Sequence, residues 1–455
     1  MHLLIKNEIT ITGTPSNLAG QIRQDLTIPN PAYADAEKMN RWTGNIPRTI
    51  TFYRQTPDDI VVPRGYFPKL VHLARQTETP FQILDTRRTL PEVDFPFSGT
   101  LRPYQSTAVS DMLKYPEGVL NCPTGGGKTI MALAIIAARR QPTLIICHTK
   151  ELLEQWKQRI NEFLSIPCSE IGQIGNGKKV VGKAITIGII NSIYPLAGLI
   201  KSNFGHIVID ECHRTPSRSF TDALGVFDAK FITGLSATPY RRDGLTKVIY
   251  LYCGNQQASI DRQALENVNG IVPARVVLKD TNIYPYADPA EAYSQALSEL
   301  CESNERNTLI AGDVAREGTN ATGACLCLTD RKEHAERLSQ MIQAQGVKSE
   351  VLTGDTPQKN RIEIVERVNA GEVKVLIATG QLIGEGFDCK HLSTLFLAVP
   401  VSYHGRLIQY LGRVLRPAPG KNEAVIYDYI DAHGVFEAAA RKRLSVYRDN
   451  NWITN

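Results

Sequence analysis

From about residue 117 the chain alternates short apolar runs, rich in β-branched residues, with segments that have a helical pattern of apolar positions. The runs include "GVLNC", "TLIICH" and "HIVID", and a second series contains "ACLCLTD", "VKVLIATG" and "TLFLAVP". Continuous apolar strands separated by helices are typical of a parallel sheet that is covered on both faces. The two series therefore predict an α/β protein with two parallel-sheet lobes in tandem.

The first 95 residues follow a different pattern. "ITITG", "RTITFY" and "DDIVVPRG" resemble strands and "GYFPKLVHLARQ" resembles a helix, while the other positions are rich in Pro, Asn and Asp. We therefore predict a small α+β domain over residues 1–95, a first lobe over 96–260 and a second lobe over 261–455. DNA binding is one hypothesis for the first of these domains, since its pattern alone indicates no function.

Composition narrows the class of protein only slightly. A chain of 455 residues is too long for one ordinary hydrophobic core, so more than one domain is expected. Its 51 Lys and Arg against 46 Asp and Glu give a net charge of +5, which neither requires nor excludes a polyanionic partner. The nine cysteines include no C-x-x-C pair, which argues against a disulfide framework or a zinc ribbon. No apolar run has the length of a signal peptide or a membrane span. We expect a soluble cytoplasmic protein without a membrane partner, for which a monomer is the simplest state.

The segment "NCPTGGGKT" has the composition of a phosphate-binding loop. It lies between a predicted strand and a predicted helix, where the backbone N–H groups of its three glycines can surround a phosphate at the helix N-terminus. Lys128 would reach the β- and γ-phosphates, and the Thr129 hydroxyl would hold Mg²⁺. The usual pattern G-x-x-x-x-G-K-[ST] has a glycine where this chain has Cys122, but in every other respect the segment predicts a nucleotide site.

The apolar run "HIVID" ends in Asp210 and is followed by Glu211. Two adjacent carboxylates at the end of a buried strand are costly unless they have a partner, which a nucleotide-bound Mg²⁺ ion would supply. Asp210 would hold the ion, directly or through water, and Glu211 would position the attacking water. A surface turn with two acids is the ordinary alternative, and the phosphate loop about 80 residues upstream argues against it.

The segments "PTGGGKT", "DECH" and "LSAT", in this order, resemble the first motor lobe of the superfamily 2 helicases, and "QYLGRVLRP" resembles the motif Q-x-x-G-R-x-x-R of the second lobe. The resemblance covers roughly residues 99–450 and implies two RecA-like lobes with ATP and Mg²⁺ as cofactors. The family commonly replaces the first glycine of the phosphate loop, which accounts for Cys122. Within it the chain is most similar to the group of XPB DNA helicases, phage branch-migration helicases and restriction-type translocases.

The resemblance also implies the residues of the ATP site. Those that would contact the nucleotide are Arg102, Gln105, Pro123, Thr124, Gly125, Gly126, Gly127, Lys128, Thr129, Gly386 and Asp388. Among them, Gln105 would read the adenine edge, and Asp388 would bind the ribose or pair with a finger arginine. The catalytic set is Lys128, Asp210, Glu211, Gln409, Arg413 and Arg416, and the metal ligands are Thr129, Asp210 and Glu211. Two arginines three positions apart on one helix share a face, from which both would stabilise the γ-phosphate charge.

Two further sets follow from the same resemblance. Residues expected to couple the ATP state to lobe movement are His213, Ser236, Ala237 and Thr238. Residues expected near nucleic acid are Thr149, Lys150, Gln155, Asn191, Ser192, Arg241, Thr353, Gly354, Thr379 and Gln381. In this scheme ATP binding closes the cleft between the lobes and hydrolysis opens it, so that nucleic acid held across both lobes advances with each cycle.

The leading hypothesis is an ATP-dependent DNA helicase or translocase that acts on duplex or branched DNA in recombination or repair. An RNA helicase, a translocating subunit of a restriction or defence nuclease complex, and a binding module with a degenerate nucleotide site are the alternatives. The presence of Lys128, Asp210, Glu211 and Arg413 argues against the last. The partner of the chain is therefore expected to be DNA, whether duplex, branched or single-stranded, in preference to RNA.

Overall fold

The computed structural model describes residues 1–39, 41–214, 218–237, 244–261, 265, 272–321, 323–380, 389, 391–401, 404–418, 420–450 and 452–453. Apart from the three residues 124–126, the chain divides at residue 260 into two compact units. In the described residues no helix is both long enough and apolar enough to cross a membrane.

The first unit begins with a small sheet that carries helices on one face. Its strands are β1 (His2–Ile5), β2 (Glu8–Thr12), β5 (Arg54–Gln55), β6 (Asp59–Pro63) and β7 (Gln82–Asp85), in the order β5-β6-β2-β1-β7; β3 (Thr27–Pro29) and β4 (Thr49–Thr51) pair separately. The helices are α1 (Ser16–Asp25), α2 (Pro31–Lys38) and α3 (Phe67–Gln76). Buried and exposed positions alternate along β1 and β2, so one face of the sheet packs against α1 and α3.

The same unit continues with a sheet of eight strands in the order β11-β10-β12-β9-β13-β14-β8-β15. The strands are β8 (Glu117–Asn121), β9 (Thr143–Cys147), β10 (Gly172–Gly175), β11 (Lys178–Val180), β12 (Ile185–Ile189), β13 (His206–Ile209), β14 (Phe231–Ser236) and β15 (Gln256–Ser259). The helices are α4 (Pro103–Leu113), α5 (Lys128–Arg139), α6 (Lys150–Leu164), α7 (Ile190–Ile193), α8 (Ala197–Ile200), α9 (Arg218–Leu224) and α10 (Thr246–Cys253).

Every strand pair in this sheet is parallel except β10 with β11. Strand β9 is buried along its whole length, as expected for a strand between two layers of helices. The carboxyl ends of the parallel strands therefore lie along a single edge, which is where ligands bind in sheets of this kind.

The second unit contains a wholly parallel sheet of six strands in the order β16-β21-β20-β17-β19-β18. The strands are β16 (Ala274–Asp280), β17 (Ala324–Thr329), β18 (Ser349–Leu352), β19 (Val375–Thr379), β20 (Leu392–Leu397) and β21 (Ala424–Ile430). The helices are α11 (Tyr293–Glu302), α12 (Asn304–Asn320), α13 (Lys332–Gln343), α14 (Gln358–Asn369), α15 (His404–Val414) and α16 (Gly434–Asp449). The predicted fold class, two parallel-sheet lobes after a small α+β region, is confirmed.

A buried arginine joins the amino-terminal sheet to the eight-stranded sheet within the first unit. Arg64, which is 3% exposed, donates from Nε to Glu117 Oε2 at 2.5 Å and from its two terminal nitrogens to the carbonyls of Ala229 and Lys230 at 2.6 and 2.7 Å. Burial lowers the pKa of the guanidinium, and Glu117 counteracts that effect. The next residue, Gly65, admits no side chain, since a Cβ there would lie 2.0 Å from the Tyr250 carbonyl oxygen.

The two sheets of the first unit also share apolar core. Leu251 of α10 packs in the same cluster as Leu18 and Leu70, which belong to the helices of the amino-terminal sheet. Arg88 adds a bidentate pair with Asp228, both bonds being 2.9 Å long. The amino-terminal region is thus packed onto the first lobe by buried charge and apolar contact together.

Replacement of Arg64 by alanine tests this attachment. The change leaves Glu117 buried without its cation, and the loss of one partner from a buried pair costs about 3–5 kcal/mol. We expect the free energy of unfolding to fall by about that amount in urea denaturation followed by circular dichroism. Arg54→Ala is the matched control, because Arg54 pairs with Glu8 while its own side chain is 69% exposed, and an exposed pair contributes at most about 1 kcal/mol. Equal losses in the two variants would contradict the assignment.

Candidate functional site

A glycine-rich turn connects β8 to α5 and has the backbone shape of a phosphate loop. Gly125 and Gly127 have φ values of 91° and 85°, in the left-handed region that favours glycine. A Cβ at Gly127 would lie 2.4 Å from Nε2 of Gln105, so the amide of that residue lies directly against the turn. Lys128 and Thr129 are the first two residues of α5, and Gly127 is its N-cap. The amino end of this helix therefore opens onto the turn, as anion binding requires.

Residues of α4 lie beside this turn. Arg102 is the N-cap of α4, and its backbone N–H donates to Oε1 of Gln105 at 2.9 Å. Gln105 is buried, and the predicted reading of the adenine edge by its amide stays a prediction. Pro123 and Thr124 complete the turn between the strand and the glycines.

The two predicted acids follow β13. Asp210 is 8% exposed, and its Oδ1 accepts the backbone N–H of Glu211 at 3.0 Å. Glu211 has a φ of 52°, an unusual value for a residue with a side chain, which marks a turn that the surrounding packing holds in place. Because β13 and β8 run parallel in one sheet, the acids and the phosphate loop lie at the same carboxyl edge.

The pKa values of the two acids are shifted in opposite directions. Burial and the neighbouring Glu211 raise the pKa of Asp210. Burial would also raise the pKa of Glu211, but the Lys128 ammonium and the adjacent His213 ring outweigh it and lower that pKa below its ordinary value. Lys128 itself donates from Nζ to the Cys122 carbonyl at 3.3 Å.

The donors at this edge fit a hard divalent cation. The buried Asp210, the half-buried Glu211 and the Thr129 hydroxyl supply oxygen ligands of the kind that magnesium binds alongside nucleotide phosphates. Groups of three or more His, Cys, Asp or Glu side chains that could hold a metal ion do not occur among the described residues.

Trp156 is a site residue that the sequence interpretation did not single out by its own chemistry. It lies on α6, is 2% exposed, and donates from Nε1 to Asp210 Oδ2 at 3.0 Å. The neighbouring buried positions of α6, Leu153 and Ile160, make Trp156 look like one more core residue of an amphipathic helix. The available signal was the indole N–H, which needs an acceptor when it is buried.

The predicted coupling residues connect Glu211 to the end of β14. His213 Nδ1 lies 3.3 Å from Glu211 Oε2 and 3.1 Å from the hydroxyl oxygen of Ser236, the last residue of β14. Ala237 follows it, whereas Thr238 and Arg241 lie outside the described residues. The structure thus brings His213 and Ser236 together with the acid pair.

Four of the predicted nucleic-acid contacts lie at the carboxyl edge of the first unit. Thr149 caps α6 by accepting the Leu152 N–H at 3.3 Å, and Lys150 follows it as an exposed residue. Asn191 and Ser192 lie in α7, directly after β12. Because β9 and β12 are neighbouring parallel strands, these residues share one edge, whereas Gln155 lies further along α6.

In the second unit, the predicted nucleic-acid contacts that the structure describes lie at or after the ends of β18 and β19, which are neighbouring parallel strands. Thr353 and Gly354 come directly after β18, and the Thr353 N–H donates to the Thr356 hydroxyl at 3.0 Å. Thr379 is the last residue of β19. Gln381, Gly386 and Asp388 lie outside the described residues, so their predicted roles stay predictions.

One prediction about the arginine motif is wrong. Arg413 lies on α15, but that helix ends at Val414, and Arg416 therefore does not share a helical face with it. The physical reason is Pro417, because a proline cannot continue a helix and disfavours helical geometry in the residue before it. Only the backbone of Gln409, in the same helix, is described.

Lys421, which the sequence interpretation does not single out, supports the segment that connects Arg413 with Arg416. Its ammonium donates to the carbonyls of Val414, Arg416 and Leu392, the last two at 2.9 and 2.5 Å. Burial lowers its pKa to about 8. A cation against the last carbonyls of α15 complements the negative end of the helix, so Lys421 fixes the segment between the two arginines.

Comparison with known proteins agrees with this geometry. Residues 98–241 match the family model described as "Type III restriction enzyme, res subunit", and residues 314–418 match "Helicase conserved C-terminal domain". "Probable helicase D10" of Escherichia phage T5 is 28% identical over 387 residues, with 82% of this chain and 81% of that protein covered. "DNA 3'-5' translocase XPB2" of Sulfurisphaera tokodaii is 28% identical over 355 residues, with 70% and 78% covered.

A solved structure supports the fold alone. The structure titled "S. cerevisiae Dbp5 bound to RNA and ADP BeF3" superposes with a TM-score of 0.54 at 14% identity, covering 77% of this chain and 88% of that chain. The parallel-sheet fold of this chain is therefore also found in that structure.

Trp156→Phe tests the bond to Asp210. The variant keeps an aromatic ring in the core and removes the N–H, so one oxygen of Asp210 loses its donor. Loss of a partner that orients a metal ligand typically lowers metal affinity or activity about 10- to 100-fold. We expect steady-state ATP turnover to fall within that range and the divalent-cation concentration for half-maximal turnover to rise.

Trp42→Phe is the matched control, because Trp42 is 75% exposed, and it should behave as the wild type. Melting temperatures of both variants show whether the core change has damaged the fold. A well-folded Trp156→Phe variant with wild-type turnover and cation dependence would show that the bond has no role in the site.

Proposed function

Because this chain belongs to the superfamily 2 helicases and is an ATP-driven nucleic-acid enzyme, we propose that it is a DNA translocase or helicase acting on duplex or branched DNA in recombination or repair. The observation that carries the proposal is the meeting of Lys128, Asp210 and Glu211 at one edge of a parallel sheet, beside the predicted nucleic-acid contacts of the same edge. The name of the Sulfurisphaera relative, a DNA translocase, supports DNA as the substrate.

In this proposal ATP lies on the phosphate loop with its β- and γ-phosphates at the amino end of α5. Lys128 exchanges its present contact with the Cys122 carbonyl for the phosphates, and the helix terminus adds backbone N–H donors. Thr129, Asp210 and Glu211 would hold Mg²⁺. When bound, the ion neutralises charge on the phosphates. Glu211, whose pKa is lowered, stays ionised and orients the attacking water.

The link to movement runs through the neighbours of Glu211. His213 contacts both Glu211 and Ser236, and Ser236 precedes the segment that carries Thr238 and Arg241. Arg413 would stabilise the charge that develops on the γ-phosphate, as arginine fingers do. Contacts directed at the nucleic-acid backbone would make movement largely independent of sequence.

A second candidate function is favoured by one observation. The first family match is described as the res subunit of a type III restriction enzyme, so a translocating subunit of a nuclease complex is the principal alternative. A nuclease that co-purifies with the chain at constant stoichiometry would select it.

Lys128→Ala tests the nucleotide site. Removal of the ammonium takes away a contact to the transferring phosphoryl group, and loss of one such donor lowers turnover about 100- to 1,000-fold. We expect that loss in an ATP hydrolysis assay with saturating polynucleotide, at an unchanged melting temperature. Lys114→Ala is the control, because the Lys114 side chain is 64% exposed and pairs with Asp111 at the surface. Polynucleotide-stimulated turnover in Lys128→Ala at the wild-type rate would overturn the assignment.

The identity of the substrate is tested by ATP hydrolysis with single-stranded DNA, linear duplex, a four-way junction and RNA, at one fixed salt concentration. We expect the strongest stimulation with duplex or junction DNA. Stimulation by RNA and not by DNA would keep the nucleotide-site assignment and replace the DNA proposal by an RNA helicase.

A further inference from the structure

The segment between the predicted contacts of α6 and the acid pair has a strong positive charge bias. Residues 171–209 contain four lysines and no acidic residue. Asp and Glu make up 46 of 455 residues, about one in ten, so a stretch of 39 residues would on average hold about four. This segment alone accounts for +4, whereas the net charge of the whole chain is +5. Such a local excess creates a positive potential that the total charge conceals.

Three of these lysines lie on or next to one hairpin, which β10 and β11 form at the edge of the eight-stranded sheet. Lys178 pairs with Gly175 and Lys179 with Ile174, so both lysines are next to the turn. The turn consists of Asn176 and Gly177, with φ values of 53° and 79°. Asn-Gly with two left-handed residues is the sequence that two-residue hairpin turns prefer, so the local chemistry specifies this protrusion.

The base of the hairpin is closely packed. A Cβ at Gly172 would lie 2.1 Å from the backbone nitrogen of Gly182, so the two chain segments touch at these positions. The Gly182 N–H also donates to the Thr186 hydroxyl at 3.0 Å. The hairpin is therefore fixed to the strand β12 and presents its side chains in a defined direction.

The lysines on this hairpin are available to a partner. Lys178, Lys179 and Val180 are all exposed, and Lys183 follows at the base. Within the part of the chain that the structure describes, no carboxylate lies within ion-pair distance of Lys178, Lys179 or Lys183. Uncompensated ammonium groups on a fixed protrusion are suited to bind a polyanion.

The position of the turn identifies the polyanion. Strands β10, β12 and β9 are consecutive parallel neighbours, so the turn after β10 lies at the same edge as Thr149 and Lys150 after β9, and Asn191 after β12. We propose that the β10–β11 hairpin extends this edge and binds nucleic-acid phosphates through Lys178 and Lys179, with Lys183 nearer the base. The inference rests on the proposed function, and it adds a contact that no motif of the sequence indicated.

The test compares two double variants with the same change in net charge. Lys178→Gln/Lys179→Gln removes the two ammonium groups at the turn. Lys114→Gln/Lys348→Gln removes two exposed lysines that precede β8 and β18. Both therefore lie at the amino ends of their strands, away from the carboxyl edge that carries the predicted contacts. Binding of a fluorescent 30-base-pair DNA duplex is measured by anisotropy at several salt concentrations, with melting temperature as the check on folding.

We expect the hairpin variant to bind duplex about tenfold more weakly, and the slope of log Kd against log salt concentration to fall by about one to two, because each lysine that neutralises a phosphate contributes about 0.9. The effect should be the same for duplexes of unrelated sequence. The control variant should match the wild type. If the hairpin variant had the same DNA affinity and the same salt slope as the control variant, the inference would be overturned. An acidic protein surface would then be the partner to test for the hairpin.

Failure of the hairpin inference can be told apart from failure of the proposed function. A wild-type chain whose ATP turnover responds to DNA, together with a hairpin variant that binds DNA normally, overturns the hairpin inference alone. A wild-type chain that binds neither DNA nor RNA overturns both. A folded hairpin variant that loses binding while it keeps the wild-type affinity for a fluorescent ATP analogue supports the inference.

Discussion

Two adjacent carboxylates, the buried Asp210 and the half-buried Glu211, follow β13 and repel each other, and the surrounding site compensates for that repulsion. Lys128 and His213 lower the pKa of Glu211, so its charge persists. Among the described residues, the hydrogen-bond donors to Asp210 are the Trp156 indole and a backbone N–H, and its pKa is raised. This asymmetry leaves negative charge that a nucleotide-bound cation can neutralise, and it explains why donors come from three separate elements, α5, α6 and the turn after β13.

The parallel sheet is the second constraint, because it places the ends of strands that are far apart in sequence at one edge. The phosphate loop follows β8, the acids follow β13, and the predicted nucleic-acid contacts follow β9 and β12. Helix α6 begins on this edge directly after its N-cap, Thr149, and Trp156, two turns further along, bonds Asp210. One helix thus carries both a predicted nucleic-acid contact and the indole that bonds Asp210.

The sequence predicted the parts of the site that depend on local spacing. Lys128, Thr129, Asp210 and Glu211 are identified because each belongs to a short motif whose backbone context, strand then turn then helix, is readable from apolar periodicity. The sequence does not indicate the role of Trp156, because its partner Asp210 is 54 residues away along the chain. It does not indicate the role of Lys421 either, because the partners of Lys421 are backbone carbonyls, which every residue type has. A spacing of three residues predicts that Arg416 lies on the same helix as Arg413. Pro417 ends that helix early, so the spacing alone is misleading.

The buried ion pair of Arg64 connects the amino-terminal region to two strands that lead to the candidate nucleotide site. Its carboxylate partner, Glu117, is the first residue of β8, and the same strand leads into the phosphate loop. Arg64 also holds the carbonyls of Ala229 and Lys230, which precede β14, the strand that ends in Ser236. Two strands that carry nucleotide-site residues at their carboxyl ends are therefore held at their amino ends by one guanidinium. The amino-terminal region is therefore packed against the same two strands that lead to the candidate nucleotide site.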